Sequence, residues 1–127
     1  MKRRILYIED NDQNYYLINF ILTKKGYEVI RANDGREGLN LVLKLKPDLI
    51  LLDIQLPVMD GYTIARIIRQ NPELVLIPIL AITSYAMAGD REKAIEAGCN
   101  DYIEKPINPQ TFFSQIEKYI IGSNAGS

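Results

Sequence analysis

Residues 49–52 (Leu49-Ile50-Leu51-Leu52) are apolar at every position, run straight into Asp53, and are followed by Pro57 four residues later. A strand with one wet face alternates apolar and polar residues. A strand that is apolar throughout must be covered on both faces, as happens in a parallel sheet with helices above and below. That single stretch excludes most all-β and all-helical arrangements. It also places Asp53 where the strand leaves the sheet at its carboxyl end, the edge beyond which open parallel sheets bind their ligands.

The flanking chain supplies the helices such a sheet needs. Ile5 to Ile8 reads as a first strand, ending in Glu9-Asp10-Asn11-Asp12. Asn14 to Lys25 carries Leu17, Ile18, Ile21 and Leu22 at helical spacing, with Gly26 as its stop. Tyr27 to Arg31 is a short second strand. Asn33-Asp34-Gly35 then offers turn and cap chemistry for a helix bearing Leu39, Val42, Leu43 and Leu45, which ends before Pro47. After the central strand, Asp60-Gly61 opens a third helix with Ile64, Ile67 and Ile68, closed by Asn71-Pro72.

A fourth strand is expected over Ile77 to Ile82, with Pro78 near its start, and it ends at Thr83-Ser84. A helix follows from Asp90 to Ala97, stopped by Gly98, then a short strand from Asp101 to Glu104 before Lys105-Pro106. Asn108 is placed to cap a last helix with Pro109 at its first position and Phe112, Phe113, Ile116, Tyr119 and Ile120 on it. Residues 1–121 thus read as one α/β domain, a flavodoxin-like (βα)5 unit. Residues 122–127 read as a polar, frayed tail. Right-handed crossovers make the sheet order 2-1-3-4-5 the expected winding, with helices on both faces.

Composition matters mainly for what it removes. The 127 residues hold 15 basic and 16 acidic side chains, so no global basic footprint for nucleic acid or anionic lipid exists. The apolar run behind the basic start (Met1-Lys2-Arg3-Arg4) is too short for a signal peptide or a membrane span, so a cytoplasmic protein without membrane insertion is expected. Cys99 is the only cysteine, and no internal disulfide can form. There is no histidine, so any metal must be held by oxygen.

Under this topology polar residues end every strand but the second: Glu9 and Asp10, Asp53, Thr83, and Lys105 just past the fifth. Three carboxylates crowded at low dielectric repel one another unless a divalent cation lies among them. Mg²⁺ suits one or two direct carboxylates, a carbonyl and several waters. A cation, a lysine and a hydroxyl around one carboxylate can neutralise the oxygens of a phosphoryl group arriving on it. Each residue alone has a plainer reading: an acidic pair is a turn or cap, Thr83 a β-branched strand end, Lys105 a solvated charge. The joint pattern is far more specific than any member.

At these residues the chain resembles the response-regulator receiver domains of two-component signalling, over about residues 3 to 120. The resemblance rests on Ile8-Glu9-Asp10-Asn11, on Leu52-Asp53-Ile54-Gln55-Leu56-Pro57-Val58-Met59-Asp60-Gly61, on Ala81-Ile82-Thr83-Ser84, and on Glu104-Lys105-Pro106. It implies that Asp53 is the phosphoryl acceptor. Asp10, Asp53 and the backbone carbonyl of Gln55 would hold Mg²⁺ directly, with Glu9 acting through metal-bound water. Thr83 and Lys105 would each contact a phosphoryl oxygen. Tyr102 matches the family's aromatic switch position, and the Lys105-Pro106 bond would be cis.

The implied partner surface is the fourth helix, fifth strand and fifth helix, including Arg91, Ile95, Asp101, Tyr102 and Tyr119. The implied partners are a sensor histidine kinase or histidine phosphotransfer protein and a downstream protein target, with no direct nucleic-acid binding. The receiver would catalyse its own aspartyl phosphorylation and dephosphorylation.

Two departures from the commonest pattern stand out. Glu9 occupies a position where many receivers have aspartate. Tyr85 is bulky where small residues are frequent, and is expected to shield the acyl phosphate from water. Asn11-Asp12-Gln13-Asn14 and Ala86-Met87-Ala88-Gly89-Asp90 are similar to DivK-type single-domain regulators and hybrid-kinase receivers, so a receiver of a hybrid kinase or a phosphorelay intermediate is the alternative. A haloacid-dehalogenase-type phosphatase would want an acid at Gln55. An FMN binder would not place Glu9-Asp10-Asn11-Asp12 against a phosphate. A pseudo-receiver would lack one of the acids, the threonine or the lysine.

Overall fold

The computed structural model describes residues 2–84 and 88–124, the side chains from 121 onward excepted. Strands β1 (Arg4–Ile8), β2 (Glu28–Ala32), β3 (Leu49–Asp53), β4 (Ile79–Thr83) and β5 (Asp101–Glu104) alternate with helices α1 (Asp12–Lys24), α2 (Gly35–Leu45), α3 (Gly61–Arg69), α4 (Asp90–Ala97) and α5 (Pro109–Asn124). All strand pairs are parallel, in the order β2-β1-β3-β4-β5. The expected winding is therefore the observed one.

The apolar run of β3 feeds two cores. Leu49 and Leu51 pack with Ile5, Tyr7, Leu80, Ile82 and Ile103 against Ile18 and Leu22 of α1 and Phe112, Ile116 and Ile120 of α5. Ile50 and Leu52 point the other way. They join Leu6, Ile8 and Ala81 against Val42 of α2, Ile64 and Ile68 of α3 and Ala94 of α4. Successive side chains of a strand face opposite sides, so one four-residue run anchors both helical layers.

Element ends follow local chemistry. Asn11 caps α1 by accepting from the Asn14 N–H, so that helix begins two residues ahead of the expected Asn14. Asp34 and Asp60 cap α2 and α3 in the same way. β4 starts at Ile79 rather than Ile77. Pro78 lies just outside it, because it has no N–H for the ladder, while its carbonyl still accepts from Ile50. Asn71-Pro72 does not simply close α3. It opens a 3₁₀ turn, Pro72–Leu74, with Asn71 as cap.

The expected tail is helical as far as Asn124, and residues 125–127 lie outside the described part, as does Tyr85. Leu17, Leu43 and Ile67, expected in apolar stripes, are substantially exposed, Leu17 alongside Tyr16 and Phe20 on α1. Among the described residues no helix is long and apolar enough to cross a membrane.

Candidate functional site

Alternation along the strands decides which side chains meet. Tyr7 and Glu9 are two residues apart and share a face, as do Leu51 and Asp53. This is the α1/α5 face, and Lys105 reaches it from beyond β5. Glu9 is wholly buried and Asp53 is 4% exposed, whereas Asp10 is exposed. Carboxylate oxygens of Glu9, Asp10 and Asp53 lie within 4.8 Å of one another. The Lys105 Nζ stands 3.3 Å from Glu9 Oε1 and 3.9 Å from Asp53 Oδ2. The Gln55 N–H donates to Asp53 Oδ1 at 2.8 Å, and the Gln55 side-chain oxygen accepts from the Ser84 N–H at 3.3 Å, joining the loops after β3 and β4.

The electrostatics are those of a pair of acids with too little positive charge. Burial, then hydrogen bonding with Glu9, pushes the Asp53 carboxyl up to about 7, against the Gln55 N–H and Lys105. Burial also opposes charge on Glu9, yet hydrogen bonds from Asp53 and Tyr7 and the Lys105 charge together hold it below the usual carboxylate range. Two buried acids served by one lysine are not neutralised, and a small hard cation fits the deficit. The donor set is all oxygen, with exposed Asp10 as its open side, which suits a partly hydrated divalent ion.

Thr83 and Tyr102 occupy the opposite face of the sheet. Ala81, which pairs with Tyr102, belongs to the α4-side core, and Thr83 continues that alternation. Thr83 is buried at the end of β4, and its carbonyl accepts from the Lys105 N–H at 2.8 Å. The Tyr102 ring is turned inward, 8% exposed, and its hydroxyl is shielded from solvent. Burial and the charges of Asp90 and Glu104 push its ionisation up, and Thr83 is near enough to offset part of that. The Lys105–Pro106 peptide bond is cis.

Around Tyr102 the expected partner surface is a connected patch. Arg91 Nη1 lies 3.2 Å from Asp101 Oδ1, and the Tyr119 hydroxyl donates to Asp101 Oδ2 at 2.9 Å. Asp101 thereby ties α4 and α5 to β5, and Ile95 stands exposed on α4 beside them.

Two residues beside the acids, and a third in the loop after β3, carried no sequence signal that singled them out. Arg31 of β2 bonds the Glu9 carbonyl at 3.2 Å, pairs with Asp12 at 2.7 Å and lies 4.8 Å from the centre of the Tyr15 ring. It therefore grips both ends of the acidic loop. Tyr7, read only as one apolar strand residue, donates its hydroxyl to Glu9 Oε1 at 2.8 Å. Val58 has φ +70 at the centre of a tight turn closed by the Met59 N–H on the Pro57 carbonyl, a strained conformation for a β-branched residue. Strand pairing could have suggested Arg31, which is in register with Tyr7. Nothing local could have suggested the Val58 turn.

Comparison with known proteins agrees with this arrangement. The response regulator receiver domain family matches residues 5–117. The polar-differentiation response regulator DivK of Brucella anthropi is 39% identical over 120 residues, covering 94% of this chain and 98% of that protein. Among solved structures, a response regulator from Chloroflexus aurantiacus superposes with a TM-score of 0.91 at 33% identity, covering 94% of this chain and 98% of the other. The receiver domain of the Pseudomonas aeruginosa sensor histidine kinase PA1611, whose structure has a magnesium ion coordinated in the active site cleft, superposes with a TM-score of 0.87 at 36% identity and the same coverage. With the acids of β1 and β3 and the lysine beyond β5 gathered at one rim of a 2-1-3-4-5 sheet, this chain belongs to the response regulator receiver family of two-component signalling.

Proposed function

We propose that Asp53 accepts a phosphoryl group from a phosphohistidine on a sensor histidine kinase or a histidine phosphotransfer protein. The observation that carries this is the clustering of three carboxylates within 4.8 Å with Lys105 Nζ 3.9 Å from Asp53. Asp10, Asp53 and the Gln55 carbonyl would hold Mg²⁺, and Glu9 would contact it through water. When bound, the ion supplies positive charge where the phosphoryl oxygens arrive. An Asp53 carboxylate oxygen forms the new bond to phosphorus as the phosphorus–nitrogen bond of the donor breaks, and the imidazole, already protonated on its other ring nitrogen, leaves neutral. Lys105 stays close to the acceptor and takes up part of the oxygens' charge.

The resulting acyl phosphate adds charge and acceptor oxygens. Thr83 moves toward them, and Tyr102, already inward, is stabilised there. The surface that Arg91, Ile95 and Tyr119 form over the buried Asp101 and Tyr102 then changes its affinity for a downstream protein in the cytoplasm.

The test is incubation with Mg²⁺ and acetyl phosphate, read by intact mass. The wild-type chain should gain one phosphoryl group, lost on Asp53→Asn substitution or on addition of EDTA. A wild-type chain that gains none, or an Asp53→Asn variant that gains as much, would overturn the assignment.

A further inference from the structure

Glu9 has a longer reach than the aspartate common at its position, and something must determine where that reach ends. The Tyr7 side chain is fully buried in the α1/α5 core, and its ring stacks on Tyr15 with centroids 6.3 Å apart. Only its hydroxyl escapes the apolar surroundings, and it donates to Glu9 Oε1 at 2.8 Å. The same oxygen is 3.3 Å from Lys105 Nζ, and the other, Oε2, accepts from the Asn11 N–H at 3.3 Å. Both oxygens of Glu9 therefore have partners inside the chain. Lys105, the cation the acceptor needs, lies closer to Glu9 than to Asp53.

We infer that Tyr7 is a positioning residue for the acceptor site: its buried hydroxyl fixes the Glu9 carboxylate so that Lys105 is shared between Glu9 and Asp53 instead of being captured by Glu9. A buried carboxylate oxygen that loses a donor tightens on the donor it keeps. Without the hydroxyl, Lys105 is the charged donor left beside Oε1, and the ion pair closes. Lys105 is then drawn away from Asp53, and the incoming phosphoryl oxygens meet less positive charge. The inference rests on Asp53 being the acceptor. It assigns a role to a residue that a strand pattern counts only as core.

Tyr7→Phe keeps the ring and its packing and removes the hydroxyl alone. At saturating Mg²⁺, the rate of phosphorylation by acetyl phosphate should fall roughly three- to tenfold, the scale of one ordinary net hydrogen bond, because the lost bond acts on the acceptor only through Lys105. In a Glu9→Gln background, where no ion pair can capture Lys105, the same substitution should change the rate less than twofold. In the metal-free protein, the Glu9 side-chain carboxyl carbon should shift in its NMR signal on Tyr7→Phe substitution, a reading that needs no phosphoryl transfer. Thermal melting verifies that the variant folds.

An unchanged rate or an unmoved Glu9 signal in Tyr7→Phe would overturn the inference while leaving Asp53 as acceptor. So would an equal loss in both backgrounds, since that is what a purely structural role gives. A wild-type chain that takes no phosphoryl group overturns the acceptor assignment and the inference with it.

Discussion

At the scale of single residues, the site is governed by a shortage of positive charge. Asp53 is pushed from 3.8 to about 7 by burial and by Glu9. A raised carboxyl binds its proton more tightly in the folded chain than in the unfolded one. Folding stability without metal should therefore fall as pH climbs from the ordinary carboxylate range to about 7. Glu9, held low, contributes in the opposite sense only below its ordinary range, where stability is lost as pH falls. Urea denaturation in EDTA at pH 5 and pH 8 checks this: the midpoint should be higher at pH 5. Mg²⁺ competes with the same proton, so its affinity should weaken as pH drops below 7, read by calorimetry. Asp53→Asn should flatten both profiles.

Secondary-structure elements add constraints that no side chain shows by itself. α3 starts hard against the end of β3, where Asp53 lies. A Cβ on Gly61 would sit 2.8 Å from both the Asp53 carbonyl oxygen and the Ile54 Cα, backbone atoms that cannot step aside cheaply. The Gly61 N–H also bonds the Ile54 carbonyl at 3.1 Å. Gly61→Ala should destabilise the chain by about 1–3 kcal/mol in urea titrations, as overpacking does. It should also weaken Mg²⁺ binding, because relief requires moving the backbone at Asp53. The Asp60-Gly61 pair was legible beforehand as a helix start. That the glycine also makes room for the backbone at Asp53 was not, since the contact forms only when α3 packs back on β3. The fourth strand shows the same limit: Pro78 fits near the start of a strand read from Ile77, but the ladder with β3 decides that the strand begins at Ile79.

Over the whole molecule, one rim collects residues separated by up to 96 positions in the chain, Glu9 and Lys105 being the extreme pair. A cation held there links β1 to β3 only when the chain is folded. Mg²⁺ at a hundred times its dissociation constant should therefore raise unfolding stability by about 2.7 kcal/mol. Asp10→Asn should largely remove that gain while leaving the metal-free stability nearly unchanged, since Asp10 is exposed; thermal melts with and without Mg²⁺ measure both. The sheet order, both helical layers and the meeting of Glu9, Asp10, Asp53 and Lys105 at one rim could all be read from the chain. Periodicity and strand-end chemistry are local, and parallel crossovers have one hand. What tertiary structure alone decided is who holds whom: Tyr7 on Glu9, Arg31 on the acidic loop, Lys105 between two acids, Tyr102 turned inward. Those contacts join residues from different strands, and their distances depend on how the strands register and twist together, which no stretch of sequence carries by itself.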